Sequence, residues 1–145
     1  MTIRQITPAE AYRLLESGYR YIDVRTETEF AAGHPVGAAN IPFALLDPRT
    51  RQMAPNPDFV RVVEAHFARA APLIVGCQSG GRSQHAAELL VRAGYTAVAN
   101  MQGGFGGARD GAGREVLAGW AQSGLPVCAE CPPRDAYETL RRTAG

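Results

Sequence analysis

Lysine is missing altogether. All 15 basic residues of the 145-residue chain are arginine, which excludes Schiff-base chemistry and a phosphate-cradling P-loop lysine. Net charge is nearly missing as well, at +1 against 14 acidic residues, and no basic run is longer than Arg141-Arg142, so no surface for nucleic acid or an anionic membrane is indicated. No apolar run approaches the roughly 18 residues of a membrane span, and Met1–Gln5 lacks the apolar core of a secretion signal; a cytoplasmic protein is expected. Cysteine is scarce and odd in number. Three of them in a reducing compartment point to reactive or metal-binding thiols rather than a disulfide framework. What is plentiful is apolar residue, 46%, enough for one core and a single domain.

The stretch around which the chain is organised runs from Leu73 to Ser83. Leu73-Ile74-Val75 is a short apolar run between Pro72 and Gly76, the pattern of a buried parallel strand, and Ser83 precedes apolar positions Ala86, Ala87, Leu89, Leu90 and Ala93 at helical spacing. Ser83 is therefore expected to cap a helix, and Cys77 to open a strand-to-helix loop. In open α/β sheets such a loop lies at the ligand-binding edge, and the helix start offers free N–H groups to an anion. Gly80 and Gly81 allow positive φ and close backbone approach, so Gln78, Ser79, Gly80, Gly81 and Ser83 form a cradle whose amides turn toward the Cys77 sulfur. Arg82 adds a permanent positive charge.

Elsewhere, Thr7-Pro8-Ala9-Glu10 is a capping box that starts a helix ending near Gly18. Tyr21–Arg25 reads as a buried strand ending in charge, which puts Asp23 and Arg25 at a carboxyl end as supporting charges, with Glu29 a candidate partner. Thr26–Phe30 reads as a short capped helix closed by Gly33. Ala38–Ile41 and Thr96–Asn100 are further strands, Asp58–Ala70 a helix with His66 packed in its stripe, and Arg134–Arg142 a terminal helix. The segment from Leu45 to Asn56 is expected to be a surface loop, and glycine-rich 105–114 an irregular loop that lines or covers the site. Alternation of strands and helices makes the fold class α/β with a largely parallel sheet.

In chain order, Tyr21-Ile22-Asp23-Val24-Arg25, Gly33-His34, Gly37-Ala38-Ala39-Asn40-Ile41-Pro42, Cys77-Gln78-Ser79-Gly80-Gly81-Arg82-Ser83, Gly103-Gly104, Trp120 and Gly124-Leu125-Pro126-Val127 resemble the rhodanese family. The chain departs from the family pattern where Pro35 stands one position early after Gly33-His34, and where the 105–114 insertion interrupts the Gly-Gly-to-Trp run. The resemblance implies a five-stranded, mainly parallel sheet flanked by helices, a domain over 1–127 with an extension at 128–145, and a cysteine that carries sulfane sulfur as a persulfide. Cys77 and Arg82 are then the expected catalytic residues. The Cys77 thiolate would attack the outer sulfur of a donor such as thiosulfate, sulfite would leave, and cyanide or a thiol would remove the sulfur, with no metal or organic cofactor needed.

Rival readings differ in class. A phosphatase or arsenate reductase would also use a Cys-loop-Arg cradle, but such cradles have one residue more between the two. A relay or regulatory module would keep Cys77 and take sulfur from a protein partner. Cys128-Ala129-Glu130-Cys131 stays open between half of a zinc site, a resolving thiol pair that accepts the Cys77 sulfur, and two thiols without a role.

Overall fold

The computed structural model describes residues 3–130 and 132–145, so Cys131 lies outside the described residues. In chain order the elements are β1 (Arg4–Ile6), α1 (Pro8–Glu16), β2 (Arg20–Asp23), α2 (Glu27–Ala32), β3 (His34–Pro35), β4 (Ala39–Asn40), β5 (Ala44–Leu46), β6 (Met53–Pro55), α3 (Phe59–His66), β7 (Leu73–Gly76), α4 (Gly81–Arg92), β8 (Val98–Met101), β9 (Ala108–Arg109), β10 (Glu115–Leu117), β11 (Val127–Cys128), a 3-10 turn (Pro133–Asp135) and α5 (Tyr137–Arg142). The expected capping box at Thr7 forms, and the expected cap at Thr26 is a capping box as well. Thr7 and Glu10 exchange backbone-to-side-chain bonds at the start of α1, and Thr26 and Glu29 do the same at α2, each satisfying two amides that a helix start leaves free.

Five strands make one parallel sheet in the order β1-β8-β7-β2-β4, which puts β7 at the centre. Successive side chains of a strand point to opposite faces. Ile22, Val75 and Leu73 accordingly join α3, α4 and α5 residues such as Val62, Leu90 and Tyr137 in one core, while Tyr21, Ile74 and Ala99 join Ala11, Phe30 and Trp120 in the other. Both faces are covered, which is why the central strands are apolar along their whole length. All five carboxyl ends lie at one edge.

Several expectations change. The Leu45–Asn56 stretch is not plain loop: β5 and β6 pair antiparallel, Leu45 opposite Ala54, in a hairpin whose β6 residues are all exposed. The helix expected over 58–70 is shorter, Phe59–His66, and His66 Nε2 sits 2.8 Å from the Leu140 carbonyl of α5. Glycine-rich 105–114 contains β9, which pairs with β10. The chain after Gly124 returns to the body. β11 pairs antiparallel with β3, Cys128 opposite His34, and Tyr137 and Leu140 are buried in the α3/α4 core. Among the described residues no helix is long and apolar enough to cross a membrane.

Candidate active site

Cys77 follows the last residue of the central strand and is 1% exposed. Its Sγ accepts two backbone bonds, from Gly80 N at 3.1 Å and Ser83 N at 3.4 Å. Of the five residues expected to turn their amides onto the sulfur, Gly80 and Ser83 do so, and the others take different parts. Gly80, not Ser83, is the N-cap of α4, and at φ 114° it takes the left-handed conformation that turns its N–H back onto the sulfur. Gly81 begins the helix with ordinary backbone, and a Cβ there would meet nothing. Ser83 is buried in the first turn, where its hydroxyl donates to Asn100 Oδ1 at 2.5 Å, with the Gly80 carbonyl 3.2 Å away, rather than to sulfur. Gln78 and Ser79 are exposed on the loop.

The glycine-rich segment covers this loop from the side. Phe105 N donates to the Cys77 carbonyl at 2.7 Å and Gly106 N to the Gln78 carbonyl at 2.9 Å. Any side chain at Gly104 would collide with those same carbonyls, so the approach is one that only glycine permits.

Asp23 and Arg25 are 1% and 2% exposed and pair with each other, not with Glu29. Arg25 Nε lies 3.0 Å from Asp23 Oδ1 and Nη2 2.8 Å from Oδ2; Nη2 also donates to the Gly33 carbonyl at 2.6 Å. Asn40 Nδ2 clasps the backbone around them by donating to both the Asp23 and the Arg25 carbonyls. The Phe105 ring covers the guanidinium, its centroid 4.4 Å from Arg25 Cζ. Arg25, Glu29, Ala32, Gly33, Gln78 and Phe105 line a cleft of about 370 Å³ beside the cysteine loop.

Arg82 was expected to bring a permanent positive charge to the site as a catalytic residue. The fold gives it a partner: Nη1 lies 2.8 Å from Glu29 Oε1 and Nη2 3.0 Å from Oε2, a bidentate fork. Those bonds hold the Glu29 carboxyl at about 2, partial burial opposing and the Thr26 amide assisting, and they push the Arg82 guanidinium above its usual range. Sequence reasoning also missed Asn100. It is 3% exposed within β8, and its Nδ2 donates to Gln5 Oε1 at 2.9 Å and Gln84 Oε1 at 3.2 Å while Oδ1 takes the Ser83 hydroxyl. A lone polar residue inside an otherwise apolar strand next to the cysteine strand was the available signal. Cys128 faces His34 across β11 and β3, next to the Gly33 that holds Arg25, but its partner in the Cys-x-x-Cys spacing, Cys131, is outside the described residues. Among the described residues no three His, Cys, Asp or Glu groups are placed to hold a metal ion.

A family model described as the rhodanese-like domain matches residues 7–109. This chain belongs to that family. The rhodanese-like match contains the cysteine loop, both arginine–carboxylate pairs and four of the five sheet strands; Trp120, β11 and α5 lie beyond it. The chain is 42% identical over 119 residues to thiosulfate sulfurtransferase 16, chloroplastic, of Arabidopsis thaliana, covering 82% of this chain and 88% of that one. It is 43% identical over 99 residues to thiosulfate sulfurtransferase 18 of the same plant, covering 67% and 71%. Among solved structures, Rv0390 from M. tuberculosis is similar with a TM-score of 0.74 and 29% identity, over 90% of this chain and 100% of that one. The five-stranded parallel sheet expected from the rhodanese resemblance is thus the fold of this chain and of its structural neighbours.

Proposed function

We propose that the protein is a sulfurtransferase that moves sulfane sulfur from a small donor such as thiosulfate to a thiophilic acceptor, cyanide or a thiol, through a persulfide on Cys77. The observation that carries this reading is the pair of backbone N–H groups, Gly80 and Ser83, aimed at one sulfur at the carboxyl end of the central strand. Fixed amide dipoles in a buried site favour charge on that sulfur, first as thiolate and then as persulfide, without reorganisation during the step. The thiolate attacks the outer sulfur of thiosulfate; a sulfur–sulfur bond forms to Cys77, the bond to the sulfonate breaks, and sulfite departs with the electron pair. The acceptor then attacks the outer sulfur and Cys77 leaves as thiolate. No redox partner or metal enters this balance.

Relatives named thiosulfate sulfurtransferase, matched over most of their length, support the same chemistry. Phosphate or arsenate chemistry has less support, because the guanidinium that would hold a tetrahedral oxyanion is committed to Glu29. The test is steady-state thiosulfate:cyanide turnover of the wild type and Cys77→Ser. Thiocyanate production by the wild type and its loss in the variant are expected; equal turnover by both contradicts the assignment.

A further inference from the structure

Two guanidinium groups stand beside the Cys77 cradle, and each is spent on a carboxylate. Arg25 is closed off: Asp23 and the Gly33 carbonyl take its Nε and Nη2, Phe105 covers its face, and among the described residues Nη1 retains only Gln78 Oε1 at 3.4 Å. Arg82 is held in the fork with Glu29, and both of those side chains are about a third exposed, at 32% and 33%, Glu29 lining the cleft beside the cysteine loop. Glu29 cannot readily swing aside. Its Oε1 also accepts from Thr26 N at 3.1 Å, so the capping box of α2 anchors the carboxylate from behind while Arg82 grips it from the front. Two positive and two negative side chains cancel, and the Cys77 thiolate leaves the site with net negative charge. Attack on thiosulfate, a dianion, then brings three negative charges together in a partly desolvated cleft, where like charges repel more strongly than in water.

We propose that Glu29 is a specificity-determining residue of the donor step: by neutralising Arg82 it selects sulfane-sulfur donors of low negative charge over dianionic ones. The inference rests on the Cys77 persulfide reading above and names the donor class within it. An organic persulfide or a thiosulfonate monoanion meets one fewer repulsion than thiosulfate, whereas a site with Arg82 unpaired would prefer the dianion. The atoms balance for either donor. With methanethiosulfonate the Cys77 thiolate takes the outer sulfur and methanesulfinate leaves, conserving two negative charges; with thiosulfate sulfite leaves, conserving three.

The experiment compares single-turnover persulfide formation on Cys77, followed by quenched intact-mass spectrometry, with thiosulfate and methanethiosulfonate as the two donors. Glu29→Gln is the variant, because Gln keeps an acceptor for the Thr26 amide and completes the capping box without charge. The expected result is a rise of about tenfold in the second-order rate constant for thiosulfate and of about threefold for methanethiosulfonate, a shift in the ratio toward the dianion. In the wild type, added salt should raise the thiosulfate rate more than the methanethiosulfonate rate, since screening relieves repulsion; this arm needs no variant. An unchanged donor ratio in Glu29→Gln, an equal fall with both donors, or a wild-type thiosulfate rate that drops with salt overturns the proposal while leaving Cys77 chemistry intact. Failure of both donors to load Cys77 in the wild type overturns the sulfurtransferase reading itself, and this proposal with it.

Discussion

Replacing Arg25 with alanine should cost the fold far more than an arginine at the mouth of a cleft ordinarily would. Arg25 and Asp23 are 2% and 1% exposed, and the guanidinium supplies three of the bonds that reach Asp23 Oδ1, Asp23 Oδ2 and the Gly33 carbonyl. Without it the Asp23 carboxylate keeps one backbone donor, Arg25 N at 3.1 Å, and is otherwise a buried, unpaired charge. Breaking a buried pair in this way costs about 3–5 kcal/mol, against a total stability of about 5–15 kcal/mol for a domain. At about 2–4 °C per kcal/mol for a chain of this size, Tm should fall on the order of 10 °C. Arg25→Lys should recover only part of this, because an ammonium cannot reproduce the planar fork to Asp23 while also reaching Gly33. Calorimetry and urea titration of Arg25→Ala, Asp23→Ala and the double variant form a cycle in which the double costs less than the sum by about 0.5–3 kcal/mol. A loss below about 1 kcal/mol for Arg25→Ala, the scale of an exposed pair, or strict additivity in the cycle, would refute the reasoning.

Glu29 titrates near 2 in the fold against the ordinary 4.5, so its ionised form stabilises the native state above about pH 4.5, and that contribution is lost as pH falls toward 2; acid titration of Glu29→Gln should show a flatter stability profile over this window. Gly80→Ala forces a Cβ onto a left-handed residue and should destabilise by about 1–2 kcal/mol and slow persulfide formation, whereas Gly81→Ala, with open space around it, should match or exceed wild-type stability in the same urea titration. Leu140→Ala should cost about 2–5 kcal/mol, since this α5 residue is 6% exposed in the α3/α4 core, and a loss under about 0.5 kcal/mol would mean the tail does not pack as described.

Local patterns carried much of this architecture. Thr7/Glu10 and Thr26/Glu29 announce two helices because both halves of a capping box lie within one turn, and the apolar runs ending at Asp23 and Gly76 announce strands because a doubly covered parallel sheet leaves no polar face. β1 was invisible for the opposite reason: only Ile6 of its three residues is buried, and its partner strand β8 is distant in sequence, Arg4 lying opposite Ala99. The β5–β6 hairpin, with Pro55 in a strand and little buried surface, has no alternation to read. At the site, the loop sequence disclosed the cysteine and its amide cradle, but Ser83 looked like the cap because a Ser before an apolar helix ordinarily is; the preceding Gly80 takes that place by adopting positive φ. The Arg82–Glu29 fork joins residues 53 positions apart, and Glu29 already had a local role at the start of α2, so nothing in the sequence asked for a second partner. Asn100 left one trace in the sequence, a lone polar residue among apolar ones in β8.

The most direct measurement is the intact mass of the protein after exposure to saturating thiosulfate, with peptide mapping of all three cysteines. The account predicts a gain of one sulfur atom on Cys77, removed by cyanide and absent from Cys77→Ser. No gain in the wild type, or a gain that persists in Cys77→Ser and maps to Cys128 or Cys131, would contradict it.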